Sequence, residues 1–499
     1  MNTNLDGLSP REVWEKFAEI ARVPRPSRHE EAIRAALCWH QGDGIREYLL
    51  AEAHTHGIET EADAAGNVIM RKAATPGMES RKGIILQAHM DMVPQKNGDK
   101  RFDFTKDPIE VRVDGEWVRA DGTTLGADNG IGVAAILAVM ESEDVVHGPL
   151  EALITATEET GMDGARGLKG GMLDGEILVN LDSETEGELY VGCAGGLDAS
   201  VRMTYREDVV PEGYKAFWIA VGGLKGGHSG IDIHLGRGNA NRILFRLLRK
   251  CERECGLRLA SVDGGGLRNA IPREATATVV VPDAVSDVFR TLAAGLESVL
   301  KEEFRGVDDA VTVRITDARR PDSLIDLQSQ RQLIRAVRGC PDGVIRMNPS
   351  MPGLVQTSSN LARVTAGSGE ILVHCLLRSS LDSEKADLGD RIAGVFELAG
   401  AEVALEGGYD GWNPNPDSPI LHTMIASYES LFGRRPVVTA IHAGLECGII
   451  GTNYPALDMI SFGPTILHPH SPDEKVNVAS VGRFWQYLLA TLRNVPFRS

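Results

Sequence analysis

The sequence has little positive charge and no long apolar segment. Its 52 lysines and arginines are outnumbered by 70 acidic residues, which gives a formal net charge of −18. A chain with this excess of acid repels phosphate backbones and anionic lipid headgroups, so nucleic acids and membrane surfaces are disfavoured as partners. The most apolar run, residues 131–140, is far shorter than the roughly 20 residues that cross a bilayer.

Cysteine is also scarce. The chain has seven cysteines among 499 residues, an odd number at irregular spacing, which does not indicate a disulfide framework. Residues 1–8 contain neither a basic segment nor an apolar core, so they do not resemble a secretory signal. These absences predict a reduced, cytoplasmic protein.

The remaining composition, 42% apolar and 24% charged, is that of a globular protein, and the length suggests two to four domains. Between residues 60 and 190, strand and helix signals alternate. The segments GIILQA (83–88), EALITA (151–156) and EILVNL (176–181) have the length of buried strands, and residues 130–140 read as a buried helix. This alternation predicts an α/β domain with a mainly parallel sheet, whose functional groups gather at the C-terminal ends of the strands.

The pattern changes after the glycine-rich residues 192–196. Predicted strands at 217–221, 275–281 and 372–377 are interspersed with predicted helices at 240–254, 284–304 and 383–399. Chemistry-bearing motifs then resume after residue 440. We therefore predict a catalytic domain formed by residues 1–197 and 409–499, interrupted by an inserted α+β domain over residues 198–408.

Several motifs place metal-ligating side chains directly after apolar strands or at a helix start. They are His89 in QAHMD, Asp128 in LGADNG, Glu158 and Glu159 in TEET, Asp182 in NLDSE, and the distant histidines His468 and His470 in HPHSPDE. Two histidines and three carboxylates suit a pair of Zn²⁺ ions with one bridging carboxylate. The glutamate doublet offers one residue as a ligand and one as a general base, and Asp91 could orient the ring of His89.

Each of these motifs taken alone is also typical of a hydrogen-bonded turn, and only their combination favours a metal centre. The segment around His40, His54 and His56 could indicate another metal site, but a surface helix–turn insertion explains it better. A protein that keeps the fold without catalysis is a further alternative. The presence of both imidazoles and all the carboxylates argues against it.

The motifs resemble those of the aminoacyl-histidine dipeptidases, also called cytosolic non-specific dipeptidases, which are relatives of carnosinase and of the di-zinc aminoacylases. The resemblance runs from about residue 9 to 490 and includes QAHMDMVPQK, DGTTLGADNGIG, TATEETGMDGA, NLDSETEGE, GGLKGGHSG, LRNAIPRE, IHAGLECG and HPHSPDE. It implies hydrolysis of dipeptides, Xaa-His among them, by a metal-bridging hydroxide. Related enzymes that deacylate N-acyl amino acids or cleave tripeptides remain the alternative.

The resemblance also implies a role for each site residue. The first zinc ion would be held by His89 and Asp182, the second by Glu159 and His470, and both by Asp128, which a cis peptide bond typically follows. Glu158 would be the general base, with Asp91 orienting His89. Mn²⁺ or Co²⁺ could replace Zn²⁺.

The inserted domain would act as a lid that mediates homodimer formation. In relatives, the histidine that matches His228 reaches the active site of the other subunit and helps to hold the scissile carbonyl oxygen. The arginine matched to Arg378 would bind the substrate carboxylate.

Overall fold

The structure, a computed structural model, describes residues 5–28 and 44–498. The chain divides into two compact units. The first unit comprises Met1–Gly192, Pro414–Ala440 and Leu445–Ser499, and the second comprises Cys193–Asn413 and Ile441–Gly444. His40 of the predicted insertion lies outside the described residues. None of the described helices combines the length and the apolar character needed to cross a membrane.

The first part of the chain contains α1 (Arg11–Ile20), α2 (Ile45–Thr55), α3 (Ala127–Glu141) and α4 (Asp163–Gly167). Its strands are β1 (Glu59–Ala62), β2 (Val68–Lys72), β3 (Ile84–His89), β4 (Val111–Asp114), β5 (Trp117–Ala120), β6 (Leu150–Thr155), β7 (Ile177–Asn180) and β8 (Glu188–Cys193). Strands β3, β6 and β7 are buried at every position, as expected from their largely apolar sequences.

The middle part contains α5 (Ala240–Cys255), α6 (Ser286–Glu303), α7 (Leu327–Gly339) and α8 (Asp382–Glu397). Its strands are β9 (Gly195–Thr204), β10 (Glu207–Asp208), β11 (Tyr214–Gly222), β12 (Gly227–His228), β13 (Arg258–Gly265), β14 (Ala270–Ile271), β15 (Ala275–Pro282), β16 (Thr312–Asp317), β17 (Leu324–Ile325), β18 (Gly343–Met347), β19 (Val355–Gly367), β20 (Glu370–Ser379) and β21 (Glu402–Tyr409). Each predicted strand and helix of this part coincides with one of these elements to within a few residues.

The last part contains α9 (Pro419–Phe432), α10 (Glu446–Asn453) and α11 (Val478–Asn494). Its strands are β22 (Val437–Ile441), β23 (Asp458–Ser461), β24 (Ile466–Leu467) and β25 (Lys475–Asn477). Strand β23 pairs in parallel with β7, which brings this distant part of the sequence into the first sheet.

The first sheet has the strand order β1-β2-β6-β3-β7-β23-β8-β22. Its centre, β6-β3-β7-β23, is parallel, whereas β1 with β2, β2 with β6, and β23 with β8 pair antiparallel. The parallel arrangement is thus confined to the centre. Because these central strands run in one direction, their C-terminal ends lie at one edge of the sheet. Helix α3 consists mostly of small and apolar residues. It is buried from Ala127 to Met140 and packs against β3 and α1.

The second unit is built on an antiparallel sheet of the order β16-β11-β15-β13-β19-β20-β9-β21, to which β18 adds by pairing with β19. Its helices bury apolar side chains against this sheet, among them Phe245 of α5 and Phe289 of α6, both fully buried. Cys251 and Cys255 of α5 belong to the same core, which identifies them as packing residues.

Candidate metal centre

The predicted ligands lie in five separate loops and element ends of the first unit. His89 is the last residue of β3, Asp128 lies in the first turn of α3, Glu158 and Glu159 form a 3₁₀ turn after β6, Asp182 follows β7, and His470 lies between β24 and β25. The strand ends converge because β3, β6 and β7 are parallel. The loop before β25 completes the cluster.

The side chains form two groups that share Asp128. On one side, Nε2 of His89 lies 3.1 Å from Oδ1 of Asp128 and 3.3 Å from Oδ1 of Asp182. On the other side, Nε2 of His470 lies 3.1 Å from Oδ2 of Asp128 and 3.0 Å from Oε2 of Glu159. Each oxygen of Asp128 therefore faces a different imidazole, as a bridging carboxylate requires.

These groups fit divalent cations in spacing and in charge. Zinc with ligands at about 2 Å separates tetrahedral ligand atoms by roughly 3.3 Å, close to the distances between each imidazole nitrogen and its carboxylate oxygens. The buried atom Oε1 of Glu159 has no hydrogen-bond partner among the described residues. The four carboxylates of the cluster carry the charge that two divalent cations would balance.

The crowding of carboxylates around the imidazoles shifts their pKa values upward. Hydrogen bonds to Asp128 and Glu159 raise the pKa of His470 to about 11. Burial lowers the pKa of His89, but the carboxylates of Asp182 and Asp128 outweigh that effect and raise it well above the ordinary value. The Nε2 atoms of His89 and His470 therefore lie where positive charge is strongly stabilised. Of the two histidines in HPHSPDE, His470 is the one that joins the cluster. Its side chain is 52% exposed.

Glu158 faces the same cluster from the turn after β6. Adjacent residues of a regular strand point to opposite faces, but this turn begins at Thr157 in the left-handed region, with φ of 58°, which lets Glu158 and Glu159 both approach His89. Burial, reinforced by the nearby carboxylates of Asp182 and Glu446, raises the pKa of Glu158 well above its ordinary value. A cation bound beside Glu158 would oppose this shift.

Asp91 contacts both the ring of His89 and the main chain of the glutamate turn. Nδ1 of His89 lies 3.1 Å from the main-chain oxygen of Asp91 and 3.5 Å from its carboxylate. The carboxylate oxygens also accept hydrogen bonds from the main-chain N–H groups of Glu158 and Glu159, at 3.0 and 3.2 Å. Asp91 therefore connects the His89 loop to the glutamate turn. The peptide bond between Asp128 and Asn129 is cis, as the resemblance implies.

Glu446 is a buried acid next to this cluster that the sequence analysis did not identify. It lies at the start of α10, is 1% exposed, and accepts hydrogen bonds of 2.6 Å from Nε2 of Gln87 and Oγ1 of Thr155. Burial raises its pKa to about 7. The signal for this buried acid in the sequence is the position of Glu446 among apolar residues in the segment GLECGII.

The second unit brings His228, Arg378 and His442 together around Gly230. A Cβ atom on Gly230 would lie 2.1 Å from the main-chain oxygen of His442, 3.1 Å from Cε1 of His228 and 3.2 Å from Nε of Arg378. Nη1 of Arg378 donates to the hydroxyl of Tyr409 at 3.1 Å. Its buried Nε has no acceptor among the described residues, which leaves this N–H group for an anion.

The hydrogen bonds of His228 determine its tautomer. Nδ1 accepts from the main-chain N–H groups of Gly230 and Ile231, at 3.2 and 3.1 Å. Burial and the neighbouring charge of Arg378 lower the pKa of His228 to about 4. At neutral pH the ring is therefore uncharged with its hydrogen on Nε2, so that it presents a hydrogen-bond donor.

A second group of side chains that could bind a metal ion lies around His56. Nε2 of His56 is 3.5 Å from both Glu52 and Glu141. The ammonium group of Lys16, however, lies 2.5 Å from Glu52 and 2.8 Å from Glu141, and so already neutralises these carboxylates. The arrangement is an ion-pair network that joins α1, α2 and α3. His54 also lies on α2.

Residues 85–494 match the model of the peptidase family M20/M25/M40. The chain belongs to this family. It is 46% identical over 494 residues to the cytosol non-specific dipeptidase of Escherichia coli K12, with 99% of each chain covered. Membership of a peptidase family and this likeness identify it as a peptide hydrolase, and the family and the clustered ligands imply that it binds divalent metal.

Two solved structures show the same fold. The chain is similar to aminoacylhistidine dipeptidase from Vibrio alginolyticus, with a TM-score of 0.91, 44% identity and 99% of each chain covered. A tripeptidase from Staphylococcus aureus matches with a TM-score of 0.56 at 16% identity, over 98% of this chain and 99% of that one. The predicted α/β family fold is thereby confirmed.

Proposed function

We propose that the protein is a two-metal dipeptidase that cleaves dipeptides broadly, including those with C-terminal histidine. The observation that carries the proposal is the pair of histidine–carboxylate groups with Asp128 in common. The similarity of the chain to relatives named cytosol non-specific dipeptidase and aminoacylhistidine dipeptidase supports the proposed substrate class and a cytoplasmic location.

The proposed ligands are His89 and Asp182 at one position, Glu159 and His470 at the other, and Asp128 at both. We propose Zn²⁺ at each position, with Mn²⁺ or Co²⁺ as substitutes. Two such ions supply polarisation of the substrate carbonyl and a lowered pKa for the attacking water.

Glu158 performs the proton transfers in this proposal. Its carboxylate takes a proton from the attacking water and then gives that proton to the amine nitrogen of the breaking peptide bond. Asp91 holds the main chain of the Glu158–Glu159 turn. In this position Glu158 is free to transfer the proton while Glu159 binds metal.

The second unit supplies groups for substrate recognition. Arg378, buried with an N–H group free for an anion, is proposed to bind the C-terminal carboxylate of the dipeptide. His228 is proposed to donate from Nε2 to the scissile carbonyl oxygen in the partner subunit of a homodimer. Its two main-chain hydrogen bonds hold the ring in the tautomer that this task requires.

Hydrolysis assays test the function directly. The purified chain is expected to cleave Ala-His and Gly-Gly, to lose this activity in excess chelator, and to regain it when Zn²⁺ is added back. An N-acetyl amino acid and a tripeptide serve as comparison substrates and are expected to react much more slowly. A clear preference for either of them would assign the site to a deacylase or a tripeptidase, and no hydrolysis of any substrate by the zinc-loaded chain would refute a catalytic role.

A further inference from the structure

Glu474 binds the main chain of the loop that carries Asp128. It is 2% exposed and follows His470 by four residues. Its Oε2 accepts hydrogen bonds from the N–H groups of Leu125 and Gly126, at 2.8 and 2.9 Å. Its Oε1 accepts from those of Ala127 and Asp128, at 2.7 and 3.2 Å. One carboxylate thus satisfies four successive N–H groups, which otherwise have no helical partner at the start of α3.

Arg25 binds the opposite, carbonyl side of the same loop. It is 2% exposed, and its Nη2 donates to the main-chain oxygen of Gly126. Its Nη1 donates to the main-chain oxygens of Met90 and Asp91, both at 3.2 Å. The guanidinium therefore connects the loop of Asp128 to the loop that follows His89.

Two glycines of the LGADNGIG segment, Gly126 and Gly130, make room for this arginine. A Cβ atom on Gly126 would lie 2.4 Å from Nη2 of Arg25, and one on Gly130 would lie 2.6 Å from it. Gly126 also has φ of 70°, in the left-handed region that favours glycine. The segment is therefore shaped around a buried arginine as well as around the bridging aspartate.

From these contacts we infer that Glu474 and Arg25 are positioning residues for the metal pair, holding the main chain of Asp128 so that its two oxygens face two different cations. The inference rests on the proposed two-metal centre. Because Asp128 is the shared ligand, loss of either positioning residue weakens both metal positions together. By contrast, loss of His89 or of His470 first weakens metal binding at the one position to which that histidine is assigned. Groups that orient metal ligands typically contribute 10–100-fold to affinity.

Competition between the zinc-loaded full-length chain and a chromophoric chelator measures both dissociation constants. Glu474→Gln, which keeps the size of the side chain but removes its charge, is expected to raise both constants roughly 10–100-fold. Glu151→Gln is the matched control. Glu151 is 7% exposed, and its Oε2 accepts from the N–H groups of Asp174 and Gly175, at 2.9 and 2.7 Å, in a turn without predicted ligands. This control is expected to lower the Tm of the metal-free chain while leaving both zinc constants within twofold of the unaltered chain.

Glu474→Asp and Arg25→Lys keep the charge and shorten the reach of each contact, and so test the inference should Glu474→Gln fail to fold. Each is expected to raise both zinc constants in parallel. Constants within twofold of those of the unaltered chain, a change at one position only, or an equal loss in Glu151→Gln would overturn the inference. If the unaltered chain itself fails to bind two ions, the proposed function fails instead, and the two failures are thereby distinguished.

Discussion

Replacing Glu158 by alanine is expected to lower kcat by roughly 10²–10⁴-fold while the metal content stays unchanged, because the residue is assigned to proton transfer alone. Replacing its neighbour Glu159 by alanine is expected to lose metal, since Oε2 of Glu159 lies 3.0 Å from Nε2 of His470 in the second group. Steady-state kinetics with Ala-His and elemental analysis of each variant measure the two effects.

The two glutamates serve as controls for each other because both belong to one turn held by Asp91. A general loosening of the turn would change both variants alike. Excess Zn²⁺ is expected to restore part of the activity of Glu159→Ala and none of that of Glu158→Ala. If the phenotypes were exchanged, so that Glu158→Ala lost metal and Glu159→Ala lost only turnover, the assignment of roles would be wrong.

Replacing His228 by alanine is expected to lower kcat about 10²–10³-fold, the loss typical of a donor to a developing oxyanion, with metal content and dimer formation unchanged. His234 provides the matched control, since it is an exposed histidine of the same unit, six residues away. His234→Ala is expected to have nearly the activity of the unaltered chain.

Mixing subunits tests whether His228 acts across a homodimer. His228→Ala and Glu158→Ala, each strongly impaired alone, are expected to recover activity after subunit exchange, because one active site of each mixed dimer would contain both groups. Sedimentation velocity verifies the dimers, and differently tagged chains verify the exchange. If verified mixed dimers stayed inactive, His228 would have to act within its own chain or outside catalysis.

The catalytic fold and the proposed ligands were predictable because the relevant signals are local. The apolar runs that became β3, β6 and β7 end directly at or just before His89, the glutamate doublet and Asp182. Parallel strands bring such ends to one edge of a sheet. The antiparallel strands at the sides of this sheet were not predicted. Strands β1 and β2 pair locally but have only 4 and 5 residues, too few for a clear periodic pattern, and β2 pairs with β6, which is distant in the sequence.

The residues that support the ligands were not predictable from local patterns. Glu474 binds N–H groups that precede it by more than 340 positions, and Arg25 reaches a carbonyl group 101 positions later. Their partners are main-chain atoms, and glycine at positions 126 and 130, which leaves room for Arg25, does not by itself show which side chain fills that room. Arg25 lies between two prolines, a pattern typical of a rigid loop, and Glu474 lies in a polar segment typical of a surface loop.

The metal content of the unaltered chain and of Asp128→Ala tests the central claim, that two cations share one carboxylate. Elemental analysis after saturation with Zn²⁺ and removal of the excess is expected to give about two ions per chain for the unaltered protein. Because both groups contain Asp128, the variant is expected to lose both ions under the same conditions. Saturation of the unaltered chain at one ion, or an Asp128→Ala variant that keeps one ion with undiminished affinity, would contradict the account.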